Sequence, residues 1–177
     1  MDSDATLVDE ARRGDPAAQN RLVSLHHEIA FRVARGIVQD DDLAADAVQD
    51  AFMKAFQALD RFRGDARFRT WLLSIVVNEA RGTLRSRKRR RESDLDAVGP
   101  VVDPARPIDD GVVVRAEARR ARALVDDLPE KQRMAVTLRI DEGLSFREIG
   151  ALIGSSEGAA RVNYHHGIRR LREKMSE

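Results

Sequence analysis

Between Glu92 and Val112 the chain loses the helical period that governs the residues on either side. The stretch ESDLDAVGPVVDPARPIDDGV holds three of the five prolines, and its apolar residues do not recur at three- and four-residue steps. Proline lacks the amide proton a helix needs and pushes the residue before it into extended backbone. No helix can run through such a segment. A chain with helical periodicity before and after it must therefore fold as two helical units on a flexible, acidic, proline-containing linker. The expected fold class is all-α: one small bundle over 1–91, a linker over 92–112 and a second bundle over 113–177.

The first unit contains three readable helices. Asp15-Pro16 pairs an N-cap residue with proline at the first helical position. Leu22, Leu25, Ile29, Val33 and Ile37 then recur at helical spacing, predicting an amphipathic helix to about Gly36. Asp40-Asp41-Asp42 offers a second cap and favourable charge for a helix start. That helix, about 42–59, carries Ala44, Val48, Phe52, Phe56 and Leu59 on a core face. Asp46, Gln49, Asp50, Met53 and Gln57 line a neighbouring face, which suits either plain solvated surface or a docking site for a basic groove. Gly64 permits a turn, and Asp65 is expected to cap a long helix reaching roughly Lys88. Phe68, Leu72, Ile75 and Val76 form its buried stripe, with Trp71 at the edge; Ser74, Asn78, Arg81 and Arg85 share another face.

Charge says more when divided along the chain than as the net +1 of 177 residues. Residues 1–60 carry 6 basic and 12 acidic groups, 61–91 carry 11 and 2, 92–110 carry 1 and 6, and 111–177 carry 13 and 10. Alternating blocks of this size face different partners, some anionic and some basic. In the basic block, RFRGDARFRTWLLSIVVNEARGTLRSRKRRR, Phe62, Phe68 and Trp71 sit among the first arginines. Cations that track phosphates, interleaved with rings that stack on exposed bases, are the chemistry of single-stranded nucleic acid. Asn78 to Arg85 spans about 10 Å at 1.5 Å per residue, enough for cations to follow a strand's backbone. Five of the eight aromatics fall between Phe52 and Trp71; most must be core, so at most two are assigned to bases.

The second unit is expected to begin with a helix over about 113–127. A second helix starts at Leu128-Pro129 and ends near Gly143. Ser145-Phe146-Arg147-Glu148 is a capping box, opening a short helix through Ile149 and Leu152. Gly154-Ser155-Ser156 turns the chain into a last helix, 156–174, completing a helix-turn-helix. Ala160, Tyr164, Ile168, Leu171 and Met175 repeat at core spacing. Arg161, Val162, His165, Arg169 and Arg172 face outward, where a recognition helix meets the major groove.

Several classes are disfavoured. With no cysteine there is no disulfide framework or thiolate chemistry. No apolar run approaches the roughly 18 residues of a membrane span, and the acidic N-terminal residues lack a signal peptide's core. The adjacent pairs His26-His27 and His165-His166 point about 100° apart on a helix and do not converge on a metal. No catalytic motif or cofactor cradle stands out, so no cofactor and no small-molecule substrate are expected.

In order and spacing, DDLAADAVQDAFMKAFQAL, FRGDARFRTWLLSIVVNEARGTLRSRKRR, DDLPEKQRMAVTLRIDEGLSFREIGALIGSSEGAARV and HHGIRRLR resemble the signatures of a bacterial RNA polymerase sigma factor of the extracytoplasmic-function group. The resemblance runs from about Gly14 to Arg172. It implies that Asp46, Gln49, Asp50 and Met53 bind the coiled-coil clamp of the largest subunit of core RNA polymerase. Residues 61–85 would recognise and help open the minus-ten element of promoter DNA. Phe62, Arg63 and Phe68 would form a pocket for a flipped base, Asn78 would read a neighbour, and Arg81 and Arg85 would hold phosphates of the single strand. The helix-turn-helix, through Arg161, Val162, His165 and Arg169, would read the minus-thirty-five element as duplex. The linker would thread toward the active-site cleft and RNA exit path. A cytoplasmic protein is the default expectation from the composition, and the resemblance further implies an anti-sigma factor as partner, often membrane-bound, that would hold it at the inner membrane. Gln19-Asn20, His26-His27 and Phe56 depart from the family's aromatic pattern, and Val162–His166 replaces a more basic stretch. The other reading is a helix-turn-helix regulator whose first, helical domain senses a ligand.

Overall fold

The computed structural model describes residues 3–93 and 122–176. Seven helices account for most of them: α1 (Ser3–Arg12), α2 (Pro16–Val38), α3 (Asp41–Gln57), α4 (Phe68–Ser93), α5 (Glu130–Ile140), α6 (Phe146–Ile153) and α7 (Glu157–Met175). A 3-10 turn, Leu59–Arg61, follows α3, and residues 122–126 are also helical. No strand occurs among the described residues. The linker from 94 to 112 and the first part of the helix expected over 113–127 lie outside them.

The caps stand where local rules put them. Asp15 accepts from the Ala17 amide at 2.9 Å, and Asp40 from that of Leu43 at 3.0 Å. Ser145 and Glu148 make both halves of the capping box, which ties down the first helix of the helix-turn-helix. Burial alone would raise the Glu148 carboxyl, but the hydroxyl and amide of Ser145 and the Thr70 hydroxyl hold it below its ordinary range. Two boundaries differ from expectation. α4 begins at Phe68, because the chain bends through residues 64–66 after Gly64 adopts φ +78°, so Asp65 sits in the bend and not at the cap. At its other end α4 continues to Ser93, beyond Lys88. α1, which no strong apolar period announces, packs on α2 through Val8 and Ala11.

α2 is the central element: α1, α3, α4 and α5 all pack against it. Its stripe of Leu22, Ile29, Val33 and Ile37 is buried, whereas Leu25, expected on that stripe, is 44% exposed. The buried line runs Leu22, His26, Ile29, Val33 and Ile37, so His26 takes the inward position and Leu25, one residue before it, is turned about 100° away. Met175, expected as core, is 69% exposed, since α7 has by then run past α5. In the second unit, α7 crosses α5 so closely that a Cβ on Gly167 would lie 2.6 Å from the Val136 side chain. Gly150 packs as tightly, its missing Cβ 2.9 Å from the Ser155 carbonyl at the turn into α7. Apolar packing continues from one unit to the other, with Met134, Ala135 and Leu138 of α5 joined to the residues of α2 to α4.

Candidate nucleic-acid interface

Three outward faces carry the residues singled out by the sequence. On α3, Asp46, Gln49, Asp50 and Met53 are all exposed, Met53 at 53%. They share one side because α3 buries Ala44, Ala47, Val48, Ala51, Phe52 and Ala55 on the other. An acidic surface with a bare thioether and an amide suits a basic, partly apolar groove. Lys54 of α3 turns the other way, to Glu79 of α4 at 2.6 Å.

The second face joins the loop before α4 to the first five turns of that helix. Phe62, Phe68 and Trp71 form a cluster of rings, with centroids 5.0 Å apart for Phe62–Trp71 and 5.9 Å for the other two pairs. Phe62 and Trp71 are half-buried, so part of each ring meets solvent. Phe68 is 3% exposed. It cannot meet a base directly; it is the floor that fixes the other two rings, because it starts α4 facing α2. His26 of α2 packs beneath it at 5.4 Å. Burial lowers the His26 pKa, opposed by the Asp4 carboxylate 3.0 Å from Nε2, an approach without hydrogen-bond alignment. Arg12 of α1 clamps the loop, donating to the carbonyls of Phe62 at 2.9 Å and Leu59 at 3.3 Å. Neither Arg12 nor His26 could be picked out as a supporting residue from the sequence, since the partners lie 50 positions away for Arg12 and on a separate helix for His26.

Further along α4, Asn78 and Arg85 are exposed, as is Arg63 in the loop. Arg81 shares their face but is engaged: its Nε and Nη2 lie 3.2 and 3.0 Å from Glu130 of α5. Arg63, Asn78 and Arg85 are thus accessible and Phe62 partly so, whereas Phe68 is buried and Arg81 is paired with Glu130.

The third face is α7. Arg161, Val162, His165 and Arg169 are exposed along it, with Ala160 and Gly167 buried opposite. Phe146, at the start of α6, lies under two guanidinium groups, Arg139 at 5.0 Å and Arg161 at 5.2 Å. Stacking of this kind restrains both guanidinium groups. Sequence gives no reason to single out Arg139; a basic residue near the end of a helix carries no signal by itself.

Comparison with known proteins matches the chain to two family models: Sigma-70 region 2 over residues 22–90 and Sigma-70, region 4 over residues 118–171. The chain is 38% identical over 170 residues to the ECF RNA polymerase sigma-E factor of Escherichia coli, covering 90% of this chain and 87% of that protein. It is 34% identical over 175 residues to the RNA polymerase sigma-H factor of Pseudomonas aeruginosa, covering 91% and 88%. Among solved structures, CnrH in complex with the cytosolic domain of CnrY aligns at TM-score 0.72 and 25% identity, over 99% of this chain and 98% of that one. The sigma factor RpoE in complex with the anti-sigma factor NepR from Bartonella quintana has the same fold, at TM-score 0.71 and 23% identity over 89% and 96%.

Proposed function

The chain belongs to the extracytoplasmic-function group of the sigma-70 family of RNA polymerase sigma factors, and on that premise we propose how its three faces divide the work of starting transcription. It is a transcription initiation factor that binds core RNA polymerase, directs it to promoters and helps melt the minus-ten element. The α3 face, Asp46, Gln49, Asp50 and Met53, docks on the polymerase. The α4 face takes the opened strand: a base leaves the duplex and settles against Phe62 and Trp71, Phe68 backs them, Asn78 reads a neighbour, and Arg63, Arg81 and Arg85 hold phosphates. The α7 face, Arg161, Val162, His165 and Arg169, enters the major groove of the intact minus-thirty-five duplex. The working boundaries are residues 1–91, 92–112 and 113–177.

Melting in this scheme is capture, without bond chemistry. Stacking one exposed base on an aromatic contributes about 1–3 kcal/mol, comparable to the cost of unstacking a step. Captured bases and a few phosphate contacts can tip an A·T-rich step open. We accordingly read the protein as a binding factor with no catalytic role. It works in the cytoplasm, where polymerase and promoters are, and an anti-sigma partner of the kind bound in the solved neighbours would hold it inactive, at the inner membrane where that partner is anchored. Among the described residues no helix is long and apolar enough to cross a membrane. The alternative, a ligand-sensing helix-turn-helix regulator, gains nothing from the matches, which extend through the first bundle.

The observation that carries the reading is the separation of an exposed acidic face on α3 from the aromatic and cationic face on α4. Asp50→Arg tests it, because Asp50 is exposed and buries nothing. The variant should keep its circular dichroism spectrum and lose at least about tenfold in affinity for core polymerase, on the scale of a charge placed against a like-charged groove. Unchanged affinity would remove α3 from the docking surface.

A further inference from the structure

Along α7 one row of side chains at four-residue steps reads Glu157, Arg161, His165, Arg169 and Glu173, and all five are exposed. Such a row winds about 40° around the helix at each step. Arg161, His165 and Arg169 therefore lie within about 40° of one outward direction, while the two acids turn toward the flanks. Each acid answers one arginine: Glu157 lies 3.3 Å from Arg161, and Glu173 lies 3.9 Å from Arg169. The two pairs cancel, so the charge at the middle of the row is set by His165. A neutral imidazole leaves the row without net charge, and an imidazolium makes it cationic.

The surroundings of His165 are defined. Its ring meets that of Tyr164 edge to face at 5.3 Å, which restrains where the imidazole points. Tyr164 rests in turn on Phe146 of α6 at 5.6 Å, and Arg139 of α5 lies over the same Phe146 ring. Of the charged residues that follow Phe146, Glu148 is engaged by Ser145 and Thr70, and Arg147 is exposed. Arg172, two turns beyond His165, shares its outward direction and is exposed. His166 is exposed as well but is turned about 100° from His165, out of the row.

Histidine is the side chain whose charge ordinarily changes between about pH 5 and 8. A phosphate within about 4–6 Å favours the charged form of a base. Duplex binding through this row must then take up a proton wherever the imidazole starts neutral. We propose that a proton is a co-ligand of duplex recognition: His165 switches the centre of the α7 row from neutral to cationic, so affinity for the minus-thirty-five duplex rises as pH falls. The inference deepens the assignment of α7 to duplex DNA and rests on it. Arg161 and Arg169, each shared with an acid, supply the standing contacts, and His165 adds a phosphate contact only when protonated. The cations assigned to the α4 face, Arg63, Arg81 and Arg85, keep their charge across this range. Acidification thus strengthens the duplex contact relative to the single-strand one.

The test is anisotropy of a labelled upstream duplex, from a promoter the reconstituted polymerase complex uses, at about pH 6 and about pH 8. Linkage allows about tenfold per pH unit for each proton taken up, and wild type should bind about threefold or more tighter at the lower pH. His165→Gln keeps a hydrogen-bonding side chain that cannot be protonated, and should bind at the weaker level at both. His165→Arg should bind at the tighter level at both, and His166→Gln should retain the wild-type difference. The salt slope of wild type should steepen by about 0.9 on acidification, for one more phosphate neutralised, and that of His165→Gln should not. Circular dichroism, and affinity of each complex for the single-stranded minus-ten oligonucleotide, should match wild type at the same pH. No pH difference in wild type, a difference that survives in His165→Gln, or one that His166→Gln abolishes overturns the proposal. A wild-type complex that binds a scrambled duplex as tightly at both pH values would instead refute the assignment of α7 on which it rests.

Discussion

Phe62→Ala isolates base capture from folding. Phe62 is half-buried, and its ring touches Trp71 at 5.0 Å and, edge to face, Phe68 at 5.9 Å. Its backbone is held independently of that ring: the carbonyl accepts from Arg12 at 2.9 Å and the amide donates to Leu59 at 3.1 Å. Truncation should therefore leave the loop in place and cost about 0.5–1.5 kcal/mol for each of the two ring pairs removed, a fall of several degrees in Tm that leaves the fold intact. The base that would rest on Phe62 loses stacking of about 1–3 kcal/mol, a drop in affinity of roughly 5- to 150-fold. The assay is fluorescence anisotropy of a labelled non-template minus-ten strand with the reconstituted polymerase complex, beside a fully duplex minus-thirty-five fragment as control. Duplex affinity should stay unchanged. If Phe62→Ala binds the single strand as wild type does, the aromatic cluster is core alone and the pocket assignment is wrong. Phe68→Ala would not make this distinction: at 3% exposure its loss should cost about 3–5 kcal/mol of stability and lower every activity together.

Arg81→Ala combined with Arg85→Ala should weaken single-strand binding in the polymerase complex and reduce the salt slope by about 1.4, at roughly 0.7 for each phosphate no longer neutralised; an unaltered slope removes this face from the backbone-binding surface. Ser145→Ala opens the capping box, and α6 should lose about 1 kcal/mol, read as weaker duplex affinity with unchanged single-strand affinity. Stability should also fall at mildly acidic pH through His26, whose folded pKa lies below its ordinary value because it is buried. For such a base the stabilisation is complete above the unfolded value, about 6.5, and is lost as pH falls from there through the folded pKa. Asp4→Asn removes the carboxylate that offsets burial and should deepen the loss, while His26→Gln should flatten the melting-temperature profile over that window; a flat profile in wild type contradicts the assignment.

What the sequence disclosed and what it withheld divide along the range of the interactions. Asp15, Asp40 and the Ser145–Glu148 box were legible because each acts within three residues of itself. The buried face of α3 and the turn into α7 were legible from periodicity and Gly154. Leu25 and Met175 misled because spacing shows which residues share a face and not how far the packing partner extends. Phe68 was legible as an aromatic among arginines, but its burial depends on α2 and on His26, across more than forty positions. Least visible was the seam. Arg32 and Glu142 are 110 residues apart, and Arg81 and Glu130 are 49 apart. Nothing in either neighbourhood marks these charges as partners, so a reading by segments finds two units and misses that they close on each other.

Run-off transcription from a library of genomic fragments, with core polymerase and this chain as the sole added factor, tests the central claim most directly. Transcripts should start at a small set of sites that share two elements, one melted and one duplex, and should vanish with Asp50→Arg. Starts no different from those of core enzyme alone would contradict it.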